Sequence, residues 1–477
     1  MATHIMEIDT GYQIVDAGFV QTREWMLYKI REDHYPMNLM LDFDLDMFDP
    51  NLFQETINLL VAKHEILRTS LRVIGGVLKQ IIHNPGTLGI KFDFFDISAM
   101  ESSAKNRLLQ HKRLLLSQTP FNFEYGPLFR VAVFKKKPNQ FEIVWIFHHV
   151  IFDSYSAGIF EADAIQAWNH LVQGMKAVFC TEPVAYQKYT AFENLLLNTQ
   201  LGDNYKEFWR IQLLKGFPRL LIINQDAWDS YSKQLLEKVE VVRKRVFELL
   251  FSDQRFIASV VRRYKYNRAG GIDYYYSINT FKQILEFKRN NNSSLLALFI
   301  AGLLLALNKL SGQDIFIFDI PASRKSDGIY KEMIGWLVAG GICYFDVSKC
   351  DNTVTFLNYI DTQLYHLARH CIYPFEVLDY DSEIPIGSTM PTFLTLTEFG
   401  YNKDKKPESS GIINHEYEGP ACCQDMDIYL AVYADCCSMR IVYNNSLLFP
   451  EIVEKLVLEQ ECCLNNLLQD CLERPNI

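Results

Sequence analysis

Two apolar runs, Phe129 to Phe134 and Phe141 to Phe147, flank the turn-like K-K-K-P-N-Q at 135–140. Runs rich in Val, Ile and aromatics and bounded by turn residues read as strands. Helical apolar spacing takes over at 156–173, so the second strand passes into a helix through F-H-H-V-I-F-D-S-Y-S-A-G, residues 147–158. The rest of the chain follows the same alternation. Leu52, Ile57, Leu60 and Val61 give Asn51 to Lys63 a helical face, Gly75-Gly76 punctuates two strands, and Trp209 falls in a further helix. The longest apolar run, Leu295 to Leu307, has thirteen residues including Gly302 and reads as a buried helix. A membrane span needs about 18–20. Strands resume at Ile315 to Ile320 and Gly341 to Val347. This layout predicts a two-lobed α/β protein with a junction near 175–200.

The 477 residues are 49% apolar and 22% charged, which excludes a disordered or collagenous chain. A net charge of −10 repels phosphate, so neither nucleic acid nor an anionic membrane is an expected partner. The N-terminus, M-A-T-H-I-M-E-I-D-T, lacks the basic and apolar stretches of a secretory signal. Six of the eleven cysteines stand in adjacent pairs, which suits neither disulfides nor C-x2-C zinc sites. They read as reduced, small apolar side chains of a cytoplasmic protein. In L-M-L-D-F-D-L-D-M (39–47) the carboxylates of Asp42, Asp44 and Asp46 share one strand face. Such neighbours lie about 6.7 Å apart, too far to share one calcium ion, and read as a solvated face.

Within 147–158, adjacent strand residues point to opposite faces, so only one of His148 and His149 can face a given cavity. With His148 turned into the lobe, His149 projects from the strand end, and Asp153 can fix the local turn. A metal site would need a third ligand that the pattern does not supply.

H-H-V-I-F-D-S-Y-S (148–156) resembles the H-H-x-x-x-D-G-x-S signature of condensation domains from nonribosomal peptide synthetases, members of the chloramphenicol-acetyltransferase-like acyltransferases. Seven further segments resemble that domain in the right order. These are V-A-K-H-E-I-L-R-T-S-L (61–71), F-E-Y-G-P-L-F-R (123–130) and Y-Q-K-Y-T-A-F-E (186–193) with F-W (208–209). I-P-A-S-R (320–324), I-G-W-L-V-A (334–339), H-C-I-Y-P-F-E-V-L (370–378) and Y-N-N-S-L-L-F (443–449) complete the set.

The resemblance implies an α/β fold of two chloramphenicol-acetyltransferase-like lobes in a V with a tunnel between them. Residues 1–185 would form the N-terminal lobe with the His motif, and 186–477 the C-terminal lobe. It implies a catalytic set of His149, His148, Asp153 and Ser154, with His149 facing the tunnel and Asp153 paired structurally with Arg324. Ser156, Trp336 and Ala339 are the expected tunnel-lining positions. Three residues depart from the pattern: Ser154 stands for the signature Gly, Tyr155 for a Trp, and Ala339 for an Asn. Ser154 should keep ordinary backbone angles and narrow the tunnel.

The implied reaction joins a carrier-bound acyl or aminoacyl thioester to an amine. His149 would either remove a proton after attack or position the amine. No cofactor is implied beyond the phosphopantetheine arms that present the substrates. Partners would be donor and acceptor carrier proteins or neighbouring synthetase domains, with a small-molecule amine or alcohol as another acceptor. The alternative is a stand-alone coenzyme-A-dependent O- or N-acyltransferase, whose D-F-G-W-G is matched only by T-E-F-G-Y (397–401). A recruitment module would have an eroded motif, whereas His148, His149 and Asp153 all stand. Ala157 replaces the Trp of epimerising relatives, and cyclising relatives replace the histidines with Asp. A surplus of roughly thirty residues over the family spacing falls at about 225–270. Lys233 to Arg268 holds ten Lys/Arg against four Asp/Glu, a local +6. It reads as a solvated helical excursion or as a docking surface for an acidic carrier protein or a phosphopantetheine phosphate.

Overall fold

The computed structural model describes residues 11–30, 38–216, 218, 220–223, 226, 230, 244, 269–323, 328–349, 351–374, 378, 392–398, 410–414 and 425–473. Arg324 and nearly all of the basic excursion lie outside them. The described residues fall into two compact units. The first gathers those of Met1–Gly202 and Ser323–Val338; the second gathers those of Asp203–Lys244, Gln254–Ala322 and Ala339–Ile477.

In the first unit the apolar runs pair as an antiparallel hairpin, Phe129–Lys137 with Gln140–His148, and the strands reach further into the lysine-rich turn than their apolar cores. Gln140–His148 is an inner strand of a four-stranded sheet, between Asn38–Leu45 and Phe129–Lys137, with Asp93–Asp96 joined in parallel beyond the latter. Every residue from Phe141 to His148 is buried. That explains why this strand is almost continuously apolar. A separate three-stranded sheet holds Tyr12–Asp16, Val77–His83 and Thr69–Ile74. Its tight turn is Gly75-Gly76, with φ of 59° and 79°, a backbone that β-carbons disfavour and hairpins require.

The aspartate face is solvated, as the alternation implied, with the Asp42 and Asp44 side chains 40% and 67% exposed, but it is also laced with ion pairs. Arg113, on the helix Ser102–Gln118, pairs with Asp42 at 3.2 Å and Glu142 at 2.9 Å. Lys136 pairs with Asp44 at 2.6 Å and Glu142 at 3.1 Å. Two cations thus interleave three carboxylates. Among the described residues no cluster of His, Cys, Asp or Glu could hold a metal ion.

The helix Tyr186–Asn198 was expected to open the C-terminal lobe, but it belongs to the first unit. The reason is polar: buried Glu193 accepts the Phe19 N–H at 2.6 Å, at the start of the helix Phe19–Ile30. Glu65 accepts the Gln187 N–H and Nε2, each at 3.2 Å.

The second unit is built on a seven-stranded mixed sheet, in the order Ile342–Asp346, Ile315–Asp319, Thr392–Glu398, Met426–Val432, Cys437–Asn444, Ala269–Tyr275 and Gly411–Asn414. The apolar run forms the helix Leu295–Ser311, capped by Ser294 and ended by Gly312 at φ 69°. A Cβ on Gly302 would stand 3.3 Å from Gln460 Nε2 and 3.4 Å from Leu464 Cβ. The glycine inside this run therefore permits close packing against the helix Pro450–Glu473. Trp209, fully buried, donates Nε1 to the His370 carbonyl at 2.9 Å. Six of the eight described cysteines are buried. Among the described residues, no helix is long and apolar enough to cross a membrane.

Candidate active site

The inner strand ends at His148, a single 3-10 turn spans His149–Ile151, and the helix Ser154–Val172 begins just beyond. This is the strand-to-helix passage that periodicity predicted, and it separates the two histidines by environment. His148 is 3% exposed and stands among Phe123, Phe121 and Tyr28, with ring centroids 4.8, 6.1 and 6.2 Å away. Its Nδ1 accepts the Val150 N–H at 3.1 Å. Burial, with the nearby charges of His149 and Arg130, pushes the imidazole down to about 3. An imidazole held neutral with its Nδ1 engaged is a structural post. His148, counted among the expected catalytic residues, is thus placed in the buried core of the first unit.

His149 is half-buried and lies on the indole of Trp336, with centroids 3.9 Å apart and planes 29° apart. Trp336 is itself 5% exposed. Its Nε1 donates to the Val338 carbonyl at 2.9 Å, and the Arg23 guanidinium sits 5.9 Å from the ring centroid. Trp336, expected to line a tunnel, lies under the histidine as its platform.

Asp153 is fully buried and caps the helix. Oδ1 accepts the Ser156 N–H and lies 2.7 Å from the Ser156 hydroxyl oxygen; Oδ2 accepts the Leu337 N–H at 2.9 Å. The Ser156 hydroxyl accepts the Gly335 N–H at 3.1 Å and stands 3.0 Å from the Gly335 carbonyl oxygen. Ser156 was expected to line the tunnel. At 0% exposure it is a clamp. One carboxylate and one hydroxyl thus fasten Gly335 to Leu337, and with them Trp336, against the start of the motif helix.

Ser154 is the first residue of that helix, in helical conformation as expected, and its exposed side chain makes no closer claim to catalysis than its place in the motif. Ala339 is buried at 5% and groups with the second unit. The Asp153–Arg324 pairing falls outside the described residues. Tyr186, already quoted at the head of the 186–193 segment, donates its hydroxyl to the Trp336 carbonyl at 3.0 Å. Sequence reasoning missed Arg23, 2% exposed and paired through Nε with Glu24 at 2.9 Å. The one available signal was composition: Q-T-R-E-W (21–25) puts charged residues inside a helix that proves almost wholly buried.

The Condensation domain family matches residues 13–248 and 262–476, nearly the whole chain. A linear gramicidin synthase of Brevibacillus parabrevis is 24% identical over 209 residues, 43% of this chain and 4% of that protein. Bacitracin synthase 1 of Bacillus licheniformis is 23% identical over 461 residues, 93% of this chain and 7% of that protein. The chain therefore spans only a small part of either relative. Among solved structures, the epimerization domain from the third module of tyrocidine synthetase B superimposes with a TM-score of 0.73 at 14% identity, covering 98% of this chain and all of that one. The starter condensation domain of rhizomide synthetase, solved as a mutant with C8-CoA and Leu-SNAC, gives 0.69 at 14%, covering 96% and 94%. At such identities the likeness is one of fold. The chain belongs to the condensation-domain family, acyltransferases that form amide bonds in nonribosomal peptide biosynthesis.

Proposed function

We propose that this domain transfers an acyl or aminoacyl group from the phosphopantetheine arm of a donor carrier protein to the amine of an aminoacyl group on an acceptor carrier. The observation that carries the reading is the placement of His149. It leaves the buried strand end half-exposed, with one ring face on Trp336 and the following helix fixed through Asp153. In the reaction the amine nitrogen bonds to the thioester carbon, the C–S bond breaks, and the amine proton ends on the departing thiol. An α-amino group has a pKa of about 7.7–8.0, so a useful fraction is neutral near pH 7. An imidazole in this position needs only to accept a hydrogen bond from the amine, orient it and pass on its proton.

Intact-mass measurement of loaded carriers tests this. The acceptor carrier should gain the donor's acyl mass with the wild-type domain. His149→Ala should slow transfer by about 10²–10⁴-fold, typical of removing an acid–base group, while folding is kept. Near-full transfer by His149→Ala with acceptor limiting would remove the histidine from the chemistry. Transfer from acyl-coenzyme A but from no carrier would favour the stand-alone acyltransferase instead.

A further inference from the structure

Tyr186, at the start of the helix Tyr186–Asn198, is 2% exposed and touches the platform segment in two ways. Its hydroxyl donates to the Trp336 carbonyl at 3.0 Å. Its ring lies over Gly335 so closely that a Cβ there would fall 2.1 Å from Cδ2 and 2.3 Å from Cε2. The neighbouring peptides are held from the other side, Gly335 by Ser156 and Leu337 by Asp153. The peptide carrying the indole is thus the one that Tyr186 holds. Tyr186 is tethered in turn, since Gln187 is bound through its N–H and its side chain to Glu65. The Trp336 Nε1 is already committed to Val338, so backbone and ring of Trp336 are both fixed before His149 rests on it.

We infer that Tyr186 is a positioning residue: by holding the Gly335–Trp336 backbone it sets the indole face on which the His149 imidazole lies. Its effect on rate rests on the acyl-transfer reading; its effect on the histidine ring does not. An imidazole stacked on an indole feels the ring current, so the His149 ring-proton resonance reports the contact directly. In the full domain with labelled histidine, that resonance is assigned by its loss in His149→Gln. Trp336→Leu supplies the unstacked reference.

Tyr186→Phe keeps the ring over Gly335 and removes only the hydroxyl. It should move the His149 resonance measurably toward the unstacked value and lower kcat about ten-fold, since small misplacements of a reacting group are costly. KM for the acceptor should stay unchanged. Tyr189→Phe removes a buried hydroxyl from the same helix, one that faces Glu193 at 3.3 Å, and should alter neither readout. Glu65→Gln, which slackens the tether, should move the resonance the same way by less; it decides the matter if Tyr186→Phe does not fold. A His149 resonance unmoved by Tyr186→Phe, or moved equally by Tyr189→Phe, overturns the inference. If the wild-type domain transfers no acyl group between carriers, the acyl-transfer reading fails, and the resonance still decides the positioning role.

Discussion

Of the carboxylates that anchor long-range contacts, Asp153 in the first unit and Glu461 in the second differ in what they hold. In the first unit Asp153 binds backbone N–H groups, of Ser156 at 2.7 Å and of Leu337 at 2.9 Å. In the second, Glu461 binds mainly hydroxyls. Its Oε1 lies 2.6 Å from Thr280 Oγ1 and accepts the Ser277 N–H at 3.0 Å, while Oε2 accepts from the Tyr274 hydroxyl. A hydroxyl can turn from donor to acceptor; a backbone N–H cannot. The Glu461 network can therefore adjust to a changed partner, whereas the two backbone N–H groups at Asp153 admit only an acceptor. The rigid one lies beside the half-exposed histidine. The adaptable one ties the helices Ile278–Asn290 and Pro450–Glu473 to the sheet.

The largest effect that this contrast predicts is at Asp153. Asp153→Asn preserves shape and can still cap Ser156, but its amide NH2 must then face the Leu337 N–H. Leaving a buried donor unpaired costs about 1–3 kcal/mol. The displaced platform should also lower transfer by about 10²-fold, on the scale of misplacing a catalytic group. Chemical denaturation and single-turnover transfer, measured on the same preparation, check both. Wild-type turnover in a destabilised Asp153→Asn would break the link between this clamp and the histidine.

Glu461→Gln is the matching change, and the expected effect is smaller. The new amide can accept from Ser277 with its oxygen and donate to a rotated Tyr274 hydroxyl. The loss is then that of a charge-assisted bond exchanged for a neutral one, about 1 kcal/mol. Transfer should stay within a factor of two of wild type, by roughly the scatter of changes far from the chemistry. A larger activity loss than in Asp153→Asn would erase the distinction between the two networks.

The contrast also shows what the sequence discloses. Local periodicity carried the hairpin ending in His148, the capped helix from Pro50 to Lys63 and the apolar helix from Leu295, because each buries a face fixed by its own spacing. Adjacency on a strand was enough to foresee that His148 and His149 part company. Neither carboxylate network was legible. Leu337 lies 184 positions from Asp153, and nothing in a helix-capping aspartate specifies which distant backbone fills its second oxygen. Ser156 misled for the same reason: a serine beside a catalytic motif looks solvent-facing until its tertiary partner is known. The alternating aspartates do stay exposed, but the cation that meets Asp42, Arg113, comes from a different element and could not be read from the strand itself.

The last effect concerns the buried histidine, appears only on acidification, and takes its sign from linkage. His148 is pushed down to about 3 in the folded protein, chiefly by burial, against an ordinary value of about 6.5 when unfolded. Between those values the unfolded chain binds the proton and the folded chain does not. Its contribution to stability is therefore whole near neutrality and shrinks as pH falls through that window, by on the order of 1–2 kcal/mol between about pH 7 and pH 5. His64, His83 and His370, also lowered mainly by burial, act in the same direction. The test is a difference: His148→Asn keeps an acceptor for the Val150 N–H but cannot titrate. Its denaturation midpoint should fall less on acidification than that of wild type, while the other histidines contribute equally to both. Parallel slopes would mean that His148 is not held neutral in the fold. The two adjacent imidazoles would then be less sharply divided between support and chemistry than their surroundings imply.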